Sequence, residues 1–283
     1  MLISMNHSVI RFGIITDIHY ELESNIVAAP DEDLRASLHC FQNHQVDFLL
    51  QLGDLIQGDD TSKEEELRHV CALLDEFQGP VRHVLGNHCL ALPREKLMAA
   101  LRLHNPFYSF SLQGYRFIVL DGMDVSVLRN AETDEELQIL ALFRAHLELH
   151  DYCGAVGTKQ KIWLKSELER AEQAGEIVIA VCHFPLLPDT TDQKYGLLWN
   201  HNEIAELLAS STALKVCLSG HFHHGGYACF RGKHFVVLPA FVNRHEHPEF
   251  TCATAEVSPE RMIIRNNANV VLFDLPFLQT WPL

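Results

Sequence analysis

Short apolar runs recur along this chain, and several of them stop at an aspartate or a histidine. Residues 9–16, VIRFGIIT, end at Asp17, and residues 46–52, VDFLLQL, end at Gly53 and Asp54. Both read as buried parallel strands, because β-rich apolar residues run through them instead of occupying one face. Between them, residues 30–45 open with Pro and acids and carry Leu34, Leu38 and Phe41 at helical spacing, which predicts a helix. A second helix is predicted after Thr61 or Ser62, either of which can cap it with Glu64 or Glu65 three residues on. Its apolar stripe is Leu67, Val70, Leu74 and Phe77. Residues 81–85 then form a short strand that runs into Gly86, Asn87 and His88. The opening third is therefore βαβαβ, which implies parallel strands joined by right-handed crossovers.

The pattern changes further on. Two strands flank Gln113 and Gly114 as a hairpin, and an acidic helix is predicted over 132–149. A helix over 158–173 ends at Gly175 and leads into IVIAVCHF, a strand that ends on His183. Strand 214–220 runs into His221, Phe222, His223 and His224, after which residues 234–239, 250–257 and 261–265 alternate like an antiparallel sheet. No repeat, low-complexity tract or Pro/Ser-rich linker divides the chain, so residues 1–283 read as one α/β domain built on two sheets.

Composition narrows the classes. Apolar residues make up 47% and charged residues 21%, which excludes disorder, collagen and coiled coil. With 22 Lys+Arg against 37 Asp+Glu the net charge is −15, and no basic patch offsets it, so nucleic acid is not the expected partner. The eight cysteines stand singly with no CxxC pair, which favours a reducing compartment. The N-terminal residues lack the basic and apolar regions of a signal peptide. No stretch approaches the ~18 consecutive apolar residues that a membrane span needs, so the expectation is a soluble cytoplasmic protein without a membrane partner. The 18 histidines beside so many acids point to metal.

Five strand ends supply the candidate ligands: Asp17 with His19, Asp54, Asn87 with His88, His183, and His221 with His223. In open α/β sheets ligands bind outside the carboxyl ends of the strands, so these groups can converge, and glycines at 53, 86 and 220 are expected to permit the tight turns there. Each element alone has an ordinary explanation, since an Asp after a strand is commonly a turn or cap residue. The ordered series does not: burying so many ionisable groups without a ligand is costly.

This ordered series, D-x-H, GD, GNH, H and GHxH, resembles the signature of the calcineurin-like metallophosphoesterase superfamily over roughly residues 9–265. The resemblance implies a sandwich of two mixed β-sheets flanked by helices, with the metal site at the carboxyl ends of the strands. It implies that Asp17, His19 and His223 hold one metal, that Asn87, His183 and His221 hold the second, and that Asp54 bridges the two. His88 is then the catalytic, non-ligand histidine beside the leaving oxygen, with Asp54 the other catalytic residue. Two divalent cations about 3.5–4 Å apart neutralise phosphate charge and generate hydroxide from water, and mixed nitrogen and oxygen ligands suit Mn²⁺, Fe or Zn²⁺. Gln57 stands where secreted purple acid phosphatases have a tyrosine ligand, and His19 where they have glycine.

Residues 51–58, 115–128, 157–168 and 183–200, followed by 220–227, further resemble the manganese-dependent ADP-ribose/CDP-alcohol diphosphatases. That implies hydrolysis of the phosphoanhydride of a small nucleoside diphosphate derivative by a metal-bridging hydroxide. The competing readings are a cyclic-nucleotide or general phosphodiesterase or phosphatase of the same superfamily, and a catalytically lapsed metal-binding scaffold. Cys89 stands where an acid usually follows GNH, which bears on how His88 is tuned, and it reads as a small spacer rather than a reactive thiol. Trp163 and Leu164 read as core. For Trp199 both burial and stacking on a base are open. His245 and His247 read as a solvated loop, and Glu64–Glu66 as a charged helix start.

Overall fold

The computed structural model describes residues 7–22, 30–58, 61–131, 133–146, 149–192 and 196–277. In chain order the elements are β1 (Ile10–Ile15), α1 (Pro30–Asn43), β2 (Phe48–Gln51), α2 (Lys63–Leu74), β3 (Val81–His83), α3 (Arg94–Ala100), β4 (Tyr108–Leu112), β5 (Tyr115–Leu120) and β6 (Val125–Ser126). There follow α4 (Asp134–Arg144), β7 (Gly154–Ala155), α5 (Thr158–Ala174), β8 (Ile177–Cys182), α6 (His201–Ser210), β9 (Leu214–Ser219), β10 (Gly226–Phe230), β11 (Lys233–Val237), β12 (Ala253–Val257), β13 (Arg261–Asn266) and β14 (Val271–Pro276). They fall into two compact units, an N-terminal unit of residues 8–105 with 239–277 and a central unit of residues 106–238.

The N-terminal unit holds a mixed six-stranded sheet of order β14-β13-β12-β1-β2-β3. Strands β1, β2 and β3 are parallel, as the βαβαβ pattern requires, and β12 pairs antiparallel with β1. Phe12 and Phe48 lie in register across the first pair, their rings stacked at 5.1 Å. Helix α1 buries Leu34, Leu38 and Phe41, the predicted stripe. A Cβ on Gly13 would lie 2.5 Å from the Phe41 ring, so this glycine lets the helix approach the strand directly. Leu67, Val70 and Leu74 of α2 join the same core. Helix α2 starts at Lys63 without a side-chain capping bond from Ser62, and Glu66, expected in a charged first turn, is 1% exposed and accepts a hydrogen bond from the Leu22 N–H. The acidic run is thus exposed at Glu64 and Glu65 alone.

The central unit holds a second mixed sheet, β10-β11-β9-β8-β5-β4. Strands β5, β8, β9 and β11 are parallel, and the antiparallel edges are the hairpins β4–β5 and β10–β11. Gln113 and Gly114 turn the first hairpin with φ of 49° and 89°, and Arg231 and Gly232 turn the second with 49° and 74°. Positive φ at both central residues matches the twist of the flanking strands. The second hairpin corrects the expectation that 234–239 continues into the sheet of 250–265. Its tight turn commits β11 to β10 and β9, while β12 and β13 belong to the N-terminal sheet. Helix α4 is shorter than the predicted 132–149; residues 132, 147 and 148 lie outside the described residues. Helix α5 ends as predicted, with Gly175 in the left-handed conformation at φ 70°. Helices thus accompany both sheets, the α/β class expected from the pattern.

Candidate metal centre

In the N-terminal unit the strand-end loops after β1 and β2 are tied backbone to backbone. The Asp17 N–H donates to the Gly53 carbonyl at 3.1 Å, the His19 N–H to the Asp54 carbonyl at 3.0 Å and the Tyr20 N–H to the Leu55 carbonyl at 2.9 Å. From the other side, the N–H groups of Phe241 and Val242 donate to the carbonyls of Thr16 and Asp17. These bonds hold Asp17, His19 and Asp54 at φ of 51°, 46° and 51°, a region that non-glycine residues rarely occupy. Such strain persists where the surroundings over-determine it, and it clusters at functional sites.

The side chains converge. His19 Nε2 lies 3.8 Å from Asp17 Oδ1 and 3.8 Å from Asp54 Oδ2. His19, Asp54 and His88 each offer a donor atom within 4.8 Å of the others, and the His19 and His88 rings meet edge to face at 4.5 Å. The other oxygen of Asp54, Oδ1, accepts the His88 backbone N–H at 2.9 Å, so one carboxylate both anchors the loop after β3 and faces His19. Asn87 precedes the 3-10 turn over His88–Ala91 and is 6% exposed. Thr16 donates its hydroxyl to Asp17 Oδ2. Two carboxylates buried this deeply beside one imidazole disfavour each other's ionised form until a cation offsets them. The donor set therefore fits a divalent metal of the Mn, Fe or Zn type.

His88 answers the question that Cys89 raised. Its Nδ1 donates to the Gln57 carbonyl at 2.7 Å, so a backbone acceptor orients the ring where a neighbouring acid would otherwise do so. Cys89 is 1% exposed, its sulfur accepts the Leu55 N–H at 3.2 Å, and burial followed by the Asp54 charge pushes its thiol up to about 12. It is a protonated spacer at neutral pH.

The glycines act differently from the expectation that all three permit tight turns. Gly53 does, at φ 113°. Gly86 instead provides room: a Cβ there would collide with Asp54 Oδ1 and with the Asp54 backbone nitrogen. After β9 it is His221, not Gly220, that takes the positive φ, at 65°. The GNH motif makes Gly86 legible as a turn residue; its contact with Asp54, and the Gln57 carbonyl on His88, depend on long-range geometry that no local signal carries.

In the central unit His183 follows β8 and His221 follows β9, and the Gly220 N–H donates to the His183 carbonyl at 2.9 Å. Ring packing sets these histidines. The His183 and His221 rings lie 5.2 Å apart, the Phe184 ring lies 4.8 Å from His221, and the Tyr152 ring lies 5.9 Å from His221. His183 is fully buried, His221 nearly so, and His223 half-buried two residues on. Cys153 Sγ stands 4.0 Å from His221 Nε2. Burial pushes the Cys182 thiol before His183 up to about 12.

Trp199 is not an open platform. It is 7% exposed, donates its indole N–H to the His150 carbonyl at 2.9 Å and packs on Phe143. Leu164 is buried, as expected of core, whereas Trp163 is only partly buried and packs on Phe107. His245 and His247 lie on the surface within 4 Å of Asp33 and Glu249 respectively. Gln193, Lys194 and Tyr195, part of the segment after His183, lie outside the described residues.

The calcineurin-like phosphoesterase family model matches residues 10–225. The chain is 33% identical to a manganese-dependent ADP-ribose/CDP-alcohol diphosphatase of Arabidopsis thaliana over 76% of this chain and 80% of that protein. It is 29% identical to one of Oryza sativa subsp. japonica over 92% of each. Among solved structures, a dimetal phosphatase from Danio rerio shares the fold at a TM-score of 0.84 and 24% identity, covering 95% of this chain and 99% of that one. The chain belongs to the calcineurin-like phosphoesterase family, in the branch of the manganese-dependent ADP-ribose/CDP-alcohol diphosphatases, and is a metal-dependent hydrolase.

Proposed function

We propose that this enzyme hydrolyses the phosphoanhydride bond of small nucleoside diphosphate derivatives of the ADP-ribose and CDP-alcohol type, releasing a nucleoside monophosphate and a phosphorylated alcohol or sugar. The observation that carries the reading is the ordered ligand series on strained strand-end loops, in a chain whose relatives bear that substrate class in their names. Those names favour the anhydride over a cyclic nucleotide.

In this reading Asp17, His19 and His223 would hold one divalent cation, Asn87, His183 and His221 would hold the second, and Asp54 would serve both. Residues 1–283 are read as one functional domain, since no linker-like segment divides the sequence. Two such cations, manganese by the relatives' names, would supply charge neutralisation for the anionic oxygens of the substrate and a more acidic water as nucleophile. His88 keeps Nδ1 engaged with the Gln57 carbonyl, which leaves Nε2 to hold a proton for the departing phosphate oxygen. Asp54 fixes the His88 backbone while contributing its charge to the cation site. Free cysteines throughout the chain support a reducing, cytoplasmic setting, and among the described residues no helix is long and apolar enough to cross a membrane. The net charge of −15 supports a small phosphate substrate over nucleic acid.

The test compares ADP-ribose, CDP-choline and cyclic AMP at equal concentration with manganese-loaded protein, and measures nucleoside monophosphate together with bound metal. Release of AMP and CMP from the first two, with little from the third, is expected. A preparation with full metal content that cleaves cyclic AMP and leaves both anhydrides intact would reject the substrate class.

A further inference from the structure

One cluster of reactive side chains lies outside the metal site and takes no part in the proposed chemistry. Cys40, near the end of α1, and Cys252, immediately before β12, are 212 residues apart in sequence, yet the Cys252 thiol donates to Cys40 Sγ at 3.1 Å. Cys252 is 2% exposed, whereas Cys40 is half-buried and open to small solutes. His44, one turn on from Cys40, places Nδ1 at 3.7 Å from the same sulfur. Both cysteines lie in the N-terminal unit.

We propose that Cys40 and Cys252 are a redox-modification site, an attacking and a resolving thiol that close to a disulfide when a hydroperoxide oxidises Cys40. The Cys40 thiolate attacks one peroxide oxygen, the O–O bond breaks, Cys40 becomes a sulfenic acid and a protonated hydroxide leaves as water. The Cys252 sulfur then attacks the Cys40 sulfur, the S–O bond breaks and a second water leaves. Two thiols and one hydrogen peroxide thus give one disulfide and two waters.

Three features assign the roles. The attacking thiol must be ionised and reachable, and the hydrogen bond from Cys252, with the charges of His44 and His39 assisting, lowers Cys40 to about 6 against its partial burial. The resolving thiol must stay protonated until called on, and Cys252 is held up by that same bond and by burial. Three of the other thiols are poor competitors, since burial raises Cys71 to about 11 and Cys89 and Cys182 to about 12. The cross-link fastens α1 to the segment that enters β12. Ser37 of α1 already donates to the Thr251 carbonyl there, so two elements in contact are stapled rather than forced together.

The test uses the reduced, manganese-loaded full chain, a few equivalents of hydrogen peroxide, alkylation of free thiols after denaturation, and peptide mapping by mass spectrometry. A Cys40–Cys252 linked peptide is expected, with the free thiols falling by two from eight and returning on reduction by dithiothreitol. In C252S, Cys40 is expected to stop at the sulfenic acid and to be captured by a 1,3-diketone probe. In C40S, Cys252 is expected to remain fully alkylated. Cys40 and Cys252 both alkylated in the wild type after the exposed Cys229 has reacted overturns the proposal, as does Cys40 recovered in any other pairing. The mapping of the wild type does not depend on either variant folding.

Discussion

The two units position their histidines and carboxylates by different means. In the N-terminal unit the loops after β1 and β2 share a ladder of backbone hydrogen bonds, and Asp17, His19 and Asp54 sit on strained backbone held by it. In the central unit one backbone bond joins the ends of β8 and β9, and the His183 and His221 rings are set by each other and by Phe184 and Tyr152. Hydrogen-bonded backbone cannot relax around a misplaced atom, whereas ring packing can partly refill a smaller side chain. The first corner should therefore fail abruptly on substitution and the second by degrees.

Asp54→Asn is the hardest blow to the first corner. Asparagine can still accept the His88 N–H through its carbonyl oxygen, so the loop survives, but the negative charge facing His19 is lost. Hydrolysis is expected to fall by about three orders of magnitude, and bound metal per chain with it, while the far-ultraviolet circular dichroism is unchanged. Full activity in this variant would show that the corner needs shape alone.

Gly86→Ala adds one methyl group where a Cβ would collide with both Asp54 Oδ1 and the Asp54 backbone nitrogen. Because backbone is one of the clashing partners, relief requires moving β2's exit loop, at a cost of about 1–3 kcal/mol and a roughly hundredfold loss of kcat/KM. Gly175→Ala is the control. Its φ of 70° strains an alanine by about 1 kcal/mol, nothing lies within 4 Å of its Cβ, and turnover should be untouched. Thermal melts alone would not separate these variants; kinetics should.

In the ring-packed corner, Phe184→Leu removes the ring that lies 4.8 Å from His221 and leaves a fully buried apolar side chain in its place. The expectation is about 1–2 kcal/mol of stability and a roughly tenfold weaker manganese affinity by calorimetric titration, with kcat at saturating metal close to the parent. An effect as steep as that of Gly86→Ala would erase the distinction between the corners.

What the sequence makes legible follows the same division. Asp17, Asp54 and Asn87 each end an apolar run, and the spacing of Leu34, Leu38 and Phe41 marks α1, so local pattern suffices there. Helix α6 escapes that pattern because Asn200, which precedes it, makes no side-chain capping bond and is instead bonded in both directions to the Val156 backbone. Strand β11 is drawn to the wrong neighbours because its apolar residues suit either sheet and only the Arg231–Gly232 turn decides. Trp199 leaves burial and stacking equally open in sequence because a loop residue's burial depends on Phe143 and His150, distant along the chain.

The least effect at neutral pH is expected at His83, at the end of β3. Its Nδ1 donates to Gln51 Oε1 at 3.3 Å, and Gln51 Nε2 in turn donates to the Gly53 carbonyl, the acceptor of the Asp17 N–H. Burial lowers its pKa from 6.5 to about 4. A histidine depressed in the folded state binds fewer protons than the unfolded chain between those values, so stability present above pH 6.5 is lost as pH falls toward 4. Each tenfold difference in proton affinity between the folded and unfolded chain is worth about 1.4 kcal/mol, so the loss is on the order of 3 kcal/mol by pH 4. His83→Gln keeps a neutral side chain that can donate to Gln51, and should flatten that part of the stability-against-pH curve while leaving turnover at pH 7 unchanged. Hydrogen exchange at pH 5 gives the sharper readout: the amides of Asp17, His19 and Tyr20, which belong to the backbone ladder, should lose protection in the parent before the Gly220 amide does, and this order should vanish in the variant. Equal loss at both corners of the parent would mean that the buried imidazole reports on global stability and not on the ladder it supports.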